Sequence, residues 1–320
     1  MIEKIEKVNN SYEKLKIEMS KVIIGQQHIV KLLLIALMTR GHCLIVGVPG
    51  LAKTLMVSTL CECLGLDFKR IQFTPDLMPS DITGSEIIEE KSDKSRYYRF
   101  IKGPVFSNII LADEINRTPP KTQAALLQAM QEHIVTVNGN DYIMDEPFLV
   151  LATQNPIEQE GTYPLPEAQL DRFIFQIDID YPQRQEEIEI VNNTTSAYKA
   201  ICEKVLSKQD IIDVQNIIRQ VPVSSEYVEM AVDIIRATRP SEGNATAVKW
   251  LSYGAGPRAS QSLILAAKAN AVLSGRFAVC EKDIIDMVKP VLKHRIISNF
   301  SAEADGVSKN TIIEEILEKL

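Results

Sequence analysis

The sequence has no surplus of positive charge, no long apolar run, no even set of cysteines and no internal repeat, and each absence excludes something. Lys and Arg number 35 against 42 Asp and Glu, a net charge of −7 with a pI near 5.3. The chain therefore lacks the broad basic surface on which non-specific nucleic-acid binding depends. The longest purely apolar run, Leu32 to Met38, falls far short of the ~20 residues that span a bilayer. The opening MIEKIEKVNN has no apolar core of the secretory-leader kind, so no membrane insertion is expected. Five cysteines at irregular spacing cannot form a complete set of intramolecular disulfides, which fits a reducing cytoplasm. Without a repeat period, solenoids and arrays are excluded.

What remains is an ordinary globular composition, 45% hydrophobic and 24% charged with mean hydropathy −0.02. At about 150 residues per domain, 320 residues suggest two. Up to residue 182, β-branched apolar runs alternate with helical patterns, the sequence form of a parallel sheet covered by helices. The strand candidates are Cys43 to Val46, Phe68 to Phe73, Ile109 to Leu111, Phe148 to Ala152 and Phe173 to Ile179. Two hairpins are predicted as insertions. One has arms Ile87 to Glu90 and Arg96 to Phe100 around the turn Lys91 to Ser95; the other has His133 to Val137 and Tyr142 to Met144 around Asn138-Gly139-Asn140. A helix, Pro120 to Glu132, precedes the second hairpin. Lys31 to Arg40 reads as an amphipathic helix packing on the core. After Tyr181-Pro182 the apolar spacing turns to three and four, predicting an all-α domain over 183–320. Its helices are Arg184 to Asn192, Lys208 to Gln220, Ser225 to Thr238, Pro257 to Ser274, Glu281 to Ile297 and Thr311 to Leu320.

The strongest chemical signal is Gly47-Val48-Pro49-Gly50-Leu51-Ala52-Lys53-Thr54-Leu55, which follows an apolar strand and opens a helix. That is the context of a phosphate-binding loop, with backbone N–H groups facing the phosphates, Lys53 on the β and γ phosphates and Thr54 on Mg²⁺. Ala52 stands where such loops usually carry glycine. A second strand ends in Ala112-Asp113-Glu114; alternation gives the carboxylates different roles, Asp113 holding Mg²⁺ through water and Glu114 polarising the attacking water. A third strand ends at Asn155, placed either to orient that water or to make a turn with Pro156. Arg172 precedes the last strand, where it can neutralise a transferring phosphoryl group from a neighbouring subunit or pair with Asp171. Arg258 lies in the first turn of a helix, opposing its dipole, which suggests an anionic partner. Cys61 and Cys63 read as structural thiols, and His28, His42, His133 and His294 as surface or capping groups.

Together these motifs resemble the AAA+ ATPases, and more narrowly the MoxR family. The resemblance rests on GVPGLAKT, on Asp113 to Arg117, Ala152 to Pro156, Gly161 to Glu167, Leu170 to Phe173 and Gly256 to Ala259. It runs from Ile24-Gly25-Gln26 to His294-Arg295, and Ala52 is normal for that family. It implies an α/β core with a parallel five-stranded sheet in an αβα sandwich, two β-hairpin insertions, a helical lid, and an active site shared between subunits of a ring, commonly a hexamer. By the same likeness Asn155 is sensor 1, Arg172 the arginine finger with Arg117 as the alternative, and Arg258 sensor 2. Val22 to Gly25, Ile24 included, would line the adenine pocket.

The function so implied is Mg²⁺-dependent ATP hydrolysis coupled to chaperone-like remodelling, assembly or metal-cofactor insertion of a protein client, often one with a von Willebrand factor A domain. Two other readings stand beside it: a nucleic-acid motor gripping a strand with its hairpins, and a nucleotide-gated scaffold without turnover. Against the motor, Glu89, Glu90 and Asp93 interleave with Lys91, Lys94, Arg96 and Arg99 on the first hairpin.

Overall fold

In the computed structural model, residues 2–92, 94–158, 160–196 and 201–319 are described. Asp93, expected in the first hairpin turn, and Leu320, the expected end of the last helix, lie outside them. The strands of the first half are β1 (Cys43–Val46), β2 (Phe68–Gln72), β3 (Gly84–Glu90), β4 (Arg96–Lys102), β5 (Ile109–Asp113), β6 (Ile134–Val137), β7 (Asn140–Ile143), β8 (Leu149–Gln154) and β9 (Phe175–Asp178). Five of them form one parallel sheet in the order β2-β5-β8-β1-β9.

Alternation along these strands sends Cys43, Ile45, Leu111, Leu151 and Phe175 into one buried cluster, and Leu44, Ile110, Ala112 and Val150 into another. Burial on both faces is why the central strands β1, β5 and β8 read as apolar runs, whereas edge strand β2 exposes Lys69, Arg70 and Gln72. The helix Pro120–Glu132 covers the second face. The first is covered by the helix Gln27–Met38, which is not amphipathic as expected: every residue from Leu32 to Met38 is buried. It lies between β9 and the helices Lys208–Gln220 and Pro257–Leu273. The Gln215 carboxamide donates to the Leu37 carbonyl at 2.8 Å.

Both insertions are hairpins. β3 and β4 pair from Gly84 opposite Lys102 to Glu90 opposite Arg96. Between β6 and β7 the turn is two residues rather than three, because Asn140 already pairs with Val137. Asn138 (φ 49°) and Gly139 (φ 82°) both take the positive φ of a primed turn. The hairpins lean on each other, with Phe100 stacked on Tyr142 at 4.0 Å.

Two features of the remaining chain differ from expectation. The N-terminal helix Ile2–Ser20 buries Ile5, Val8, Tyr12, Leu15 and Met19 against the helices Lys53–Leu64 and Pro257–Leu273, and Asn9 Nδ2 donates to the Leu273 carbonyl at 2.6 Å. The second half is not purely helical, since β10 (Leu251–Tyr253) and β11 (Ile297–Ser298) form a short antiparallel ladder. The helix expected to reach Ile297 therefore stops at Leu292. One apolar cluster runs without interruption from Ile5, through the sheet, to Ile316.

Cys61 and Cys63 are buried, which pushes both thiols up to about 12. Two histidines are not surface groups. His42 Nδ1 accepts from the Val150 N–H at 3.0 Å while Nε2 bonds the Met130 carbonyl at 3.1 Å, so the ring is neutral and burial lowers its pKa to about 4. His294, also buried, bonds the Phe173 carbonyl at 2.9 Å. His133 is the helix-capping residue, left-handed at φ 54° after Glu132. Among the described residues no helix is long and apolar enough to cross a membrane.

Candidate active site

β1 ends in the sheet interior, between β8 and β9, and the chain turns there through Gly47 to Ala52 into the helix Lys53–Leu64. A Cβ on Gly47 would meet the Ile179 carbonyl at 2.7 Å, so this close approach requires glycine. Ala52 takes the left-handed region at φ 53° and is exposed, which accommodates a methyl where a glycine is usual. Beyond it the helix presents its unpaired first-turn N–H groups and positive dipole end. Lys53 folds back to donate Nζ to the Gly47 carbonyl at 2.6 Å. Burial holds the Lys53 pKa below its usual value, against the opposing pull of Asp113 and Glu114.

Asp113 is the last residue of β5, and Glu114 leaves the strand at once with φ 57° and ψ 49°. The two carboxylates are thus parted by a left-handed turn and not by strand alternation, which ends at Asp113. Thr153, buried on β8, joins them: its hydroxyl donates to Asp113 Oδ1 at 2.6 Å and accepts from the Glu114 N–H at 2.8 Å. Edge strand β2 contributes two more side chains on one face. Arg70 donates to Asp113 Oδ2 from Nε at 3.0 Å and from Nη2 at 2.5 Å, and from Nη2 to Gln72 Oε1 at 2.8 Å. Gln72 in turn donates to Glu114 Oε2 at 2.8 Å, and Arg117 to the same oxygen at 3.0 Å.

One cavity gathers Pro49 to Leu55, Arg70, Asp113, Glu114, Thr153 and Asn155. Asn155 is both a turn residue and a pocket residue, since its Oδ1 accepts from the Ile157 N–H at 3.1 Å. Gly47 and Val48 lead into the loop behind it. Arg70, Gln72 and Thr153 are absent from the sequence expectations; their signal is positional, a polar residue near the end of a strand flanking an expected one.

The other expected site residues lie outside this cavity's lining. Arg172 is three residues ahead of β9 rather than directly before it, and its Nη1 donates to the Leu127 carbonyl at 2.9 Å. Arg258, in the first turn of Pro257–Leu273, faces Asp171 Oδ2 at 3.5 Å. The alternative arginine, Arg117, is engaged by Glu114 of its own chain, which raises its pKa. Ile24 and Gly25 form the half-buried approach to the helix Gln27–Met38. Asp171 also accepts from Arg295 Nε at 2.7 Å, and Arg295 donates to the Phe173 and Ile174 carbonyls at 2.6 and 3.1 Å.

Residues 42–175 match the ATPase family associated with various cellular activities (AAA), and residues 246–316 match the AAA lid domain. Chaperone MoxR1 of Mycobacterium tuberculosis is 42% identical over 97% of this chain and 81% of its own. Protein MoxR of Paracoccus denitrificans is 32% identical over 86% and 85%. The crystal structure of a candidate ATPase from Cytophaga hutchinsonii superposes with a TM-score of 0.91 at 44% identity, covering 99% of this chain and 96% of that one. With a nucleotide-type loop and an acid pair in one cavity, and with these relatives, the chain belongs to the MoxR family of AAA+ ATPases and is an ATP hydrolase.

Proposed function

We propose that this chain is a Mg²⁺-dependent, ring-forming ATPase, commonly a hexamer, that works in the cytoplasm and spends hydrolysis on remodelling a protein client. The observation that carries the reading is the gathering of the loop, Lys53, Thr54, Asp113, Glu114 and Asn155 around one cavity. Loop N–H groups hold the phosphates, and Lys53 moves from the Gly47 carbonyl to the β and γ oxygens. Glu114 takes a proton from the attacking water, and Asn155 orients that water. Arg172 serves a neighbouring subunit as its arginine finger, Arg258 senses the phosphates from the lid, and Ile24 and Gly25 border the adenine.

Among the described residues no group of three or more His, Cys, Asp or Glu could hold a metal alone. The Thr54 hydroxyl and the Asp113 carboxylate are the sparse donor set that suits Mg²⁺ when phosphate oxygens and water complete its shell. The ion supplies charge neutralisation on the β and γ phosphates. The core is assigned to 1–182 and the lid to 183–320. A chaperone role follows the name of the Mycobacterium relative, and a client with a von Willebrand factor A domain follows the family resemblance.

The test is steady-state hydrolysis against protein concentration, with sedimentation in ATP. Turnover rising more than linearly as the ring assembles, and falling about 10² to 10⁴-fold in Glu114→Gln with ATP binding retained, is expected. Strictly linear turnover from a monomer in saturating ATP overturns the ring.

A further inference from the structure

We propose that Arg70 is a built-in counter-cation of the metal site, holding the place at Asp113 that a divalent ion takes, so that arrival of the metal–nucleotide complex displaces its guanidinium. This rests on the reading of Asp113 as the metal's carboxylate.

Three observations carry it. The first is occupancy of the carboxylate. Oδ1 is taken by the Thr153 hydroxyl, and Oδ2 accepts two N–H groups of Arg70. A carboxylate oxygen has about two lone pairs, so the oxygen left to a metal or its water is already saturated. The second is the asymmetry of burial: the Asp113 side chain is 15% exposed and that of Arg70 48%. The carboxylate is fixed in the wall of the cavity, whereas the guanidinium is half in water and can swing out. The third is that Lys53, the other cation of the cavity, is spent on the Gly47 carbonyl, so Arg70 is the cation hydrogen-bonded to Asp113.

A guanidinium does not shed its proton, so it cannot make room by becoming neutral; it must move. A divalent ion brings twice its charge to the same oxygen, and the two cations repel each other there. Displacing Arg70 is a cost that metal binding bears and that a neutral side chain at this position removes. Displacement also removes the Nη2 donor from Gln72 Oε1, whose amide holds Glu114, so the metal's arrival loosens one of the hydrogen bonds on the general base.

The test uses the full chain saturated with ADP and reads free Mn²⁺ by electron paramagnetic resonance, with no turnover involved. Arg70→Met is expected to bind Mn²⁺ about tenfold more tightly than the parent, a gain that misfolding would not produce. Arg70→Gln, also neutral, should do the same, and Arg70→Lys should stay near the parent value. Unchanged or weaker Mn²⁺ binding in both neutral variants overturns the counter-cation. Asp113→Asn is the control for the underlying reading: it should lose Mn²⁺ affinity, and if it does not, Asp113 is not the metal's carboxylate, whatever Arg70 does.

Discussion

Arg295 and Asp171 meet at 2.7 Å, with the arginine side chain only 2% exposed and the aspartate 32%. The arginine comes from the turn after Glu281–Leu292, the aspartate from the segment ahead of β9. The same guanidinium bonds the Phe173, Ile174 and Val291 carbonyls, and Lys293 beside it is paired with Asp178 on β9. Three successive residues, Lys293 to Arg295, thus latch the lid onto β9 and the segment that leads into it.

Breaking a buried charge pair leaves its partners unsatisfied and costs about 3–5 kcal/mol. Arg295→Met should lower stability by an amount of that order in denaturant unfolding, while Lys289→Met, which removes an exposed pair with Glu314, should change it by less than about 1 kcal/mol. Equal losses would remove the latch from the account.

Thr153 serves both carboxylate residues with one hydroxyl. Thr153→Val keeps the shape and orphans Asp113 Oδ1 and the Glu114 N–H, a loss of about 1–3 kcal/mol. Turnover should fall at least about tenfold, and Thr153→Ser should recover most of it. Full activity in the valine variant would show that the carboxylates hold their places without it.

Arg172 bonds a carbonyl of its own chain and lies outside the lining of its own cavity, which suits a residue acting across a subunit boundary. Arg172→Ala should bind ATP normally and lose about 10³ to 10⁵ in turnover. Mixed with Lys53→Ala protein, it should regain activity, because some boundaries then combine an intact loop with an intact arginine. Co-assembled mixtures that stay inactive would transfer the role to another arginine.

His42 gives the fold a pH dependence of known sign. Its pKa falls from 6.5 to about 4 on burial, so between those values the unfolded chain binds a proton that the folded chain refuses. Stability is whole above pH 6.5 and declines as pH falls through that window, by about 3 kcal/mol at its lower end. His294, its pKa also depressed by burial, adds in the same direction. In His42→Gln, whose amide can serve both backbone partners, the slope of stability against pH should be shallower.

Much of the fold and the site is legible in the sequence, for physical reasons. Parallel strands buried on both faces announce themselves as apolar runs, and the loop and acid pair are contiguous in the chain. What a linear sequence does not carry is register. That Arg70 and Gln72 reach across to Asp113 and Glu114 depends on β2 pairing beside β5, and in isolation Lys69-Arg70 reads as the wet edge of a sheet. Thr153 is likewise one apolar-strand residue until β8 is set against β5. The N-terminal helix does show its spacing, Ile5, Val8, Tyr12, Leu15 and Met19, but its many charges make it resemble a solvated tail. Ladders of three and two residues, as in β10 and β11, are too short to leave a periodic trace.

The buried stretch Leu32 to Met38 of the helix Gln27–Met38 has a consequence for how the molecule can be divided. It is the floor of the sheet and the ceiling of the lid at once, so neither half has a finished surface without it. A cut after residue 182 would leave both pieces with raw apolar faces, one stripped of its cover and the other of its support. Core and lid thus share a single continuous interior, so that a movement of the lid reaches the sheet through packing as well as through the hydrogen bonds that join them.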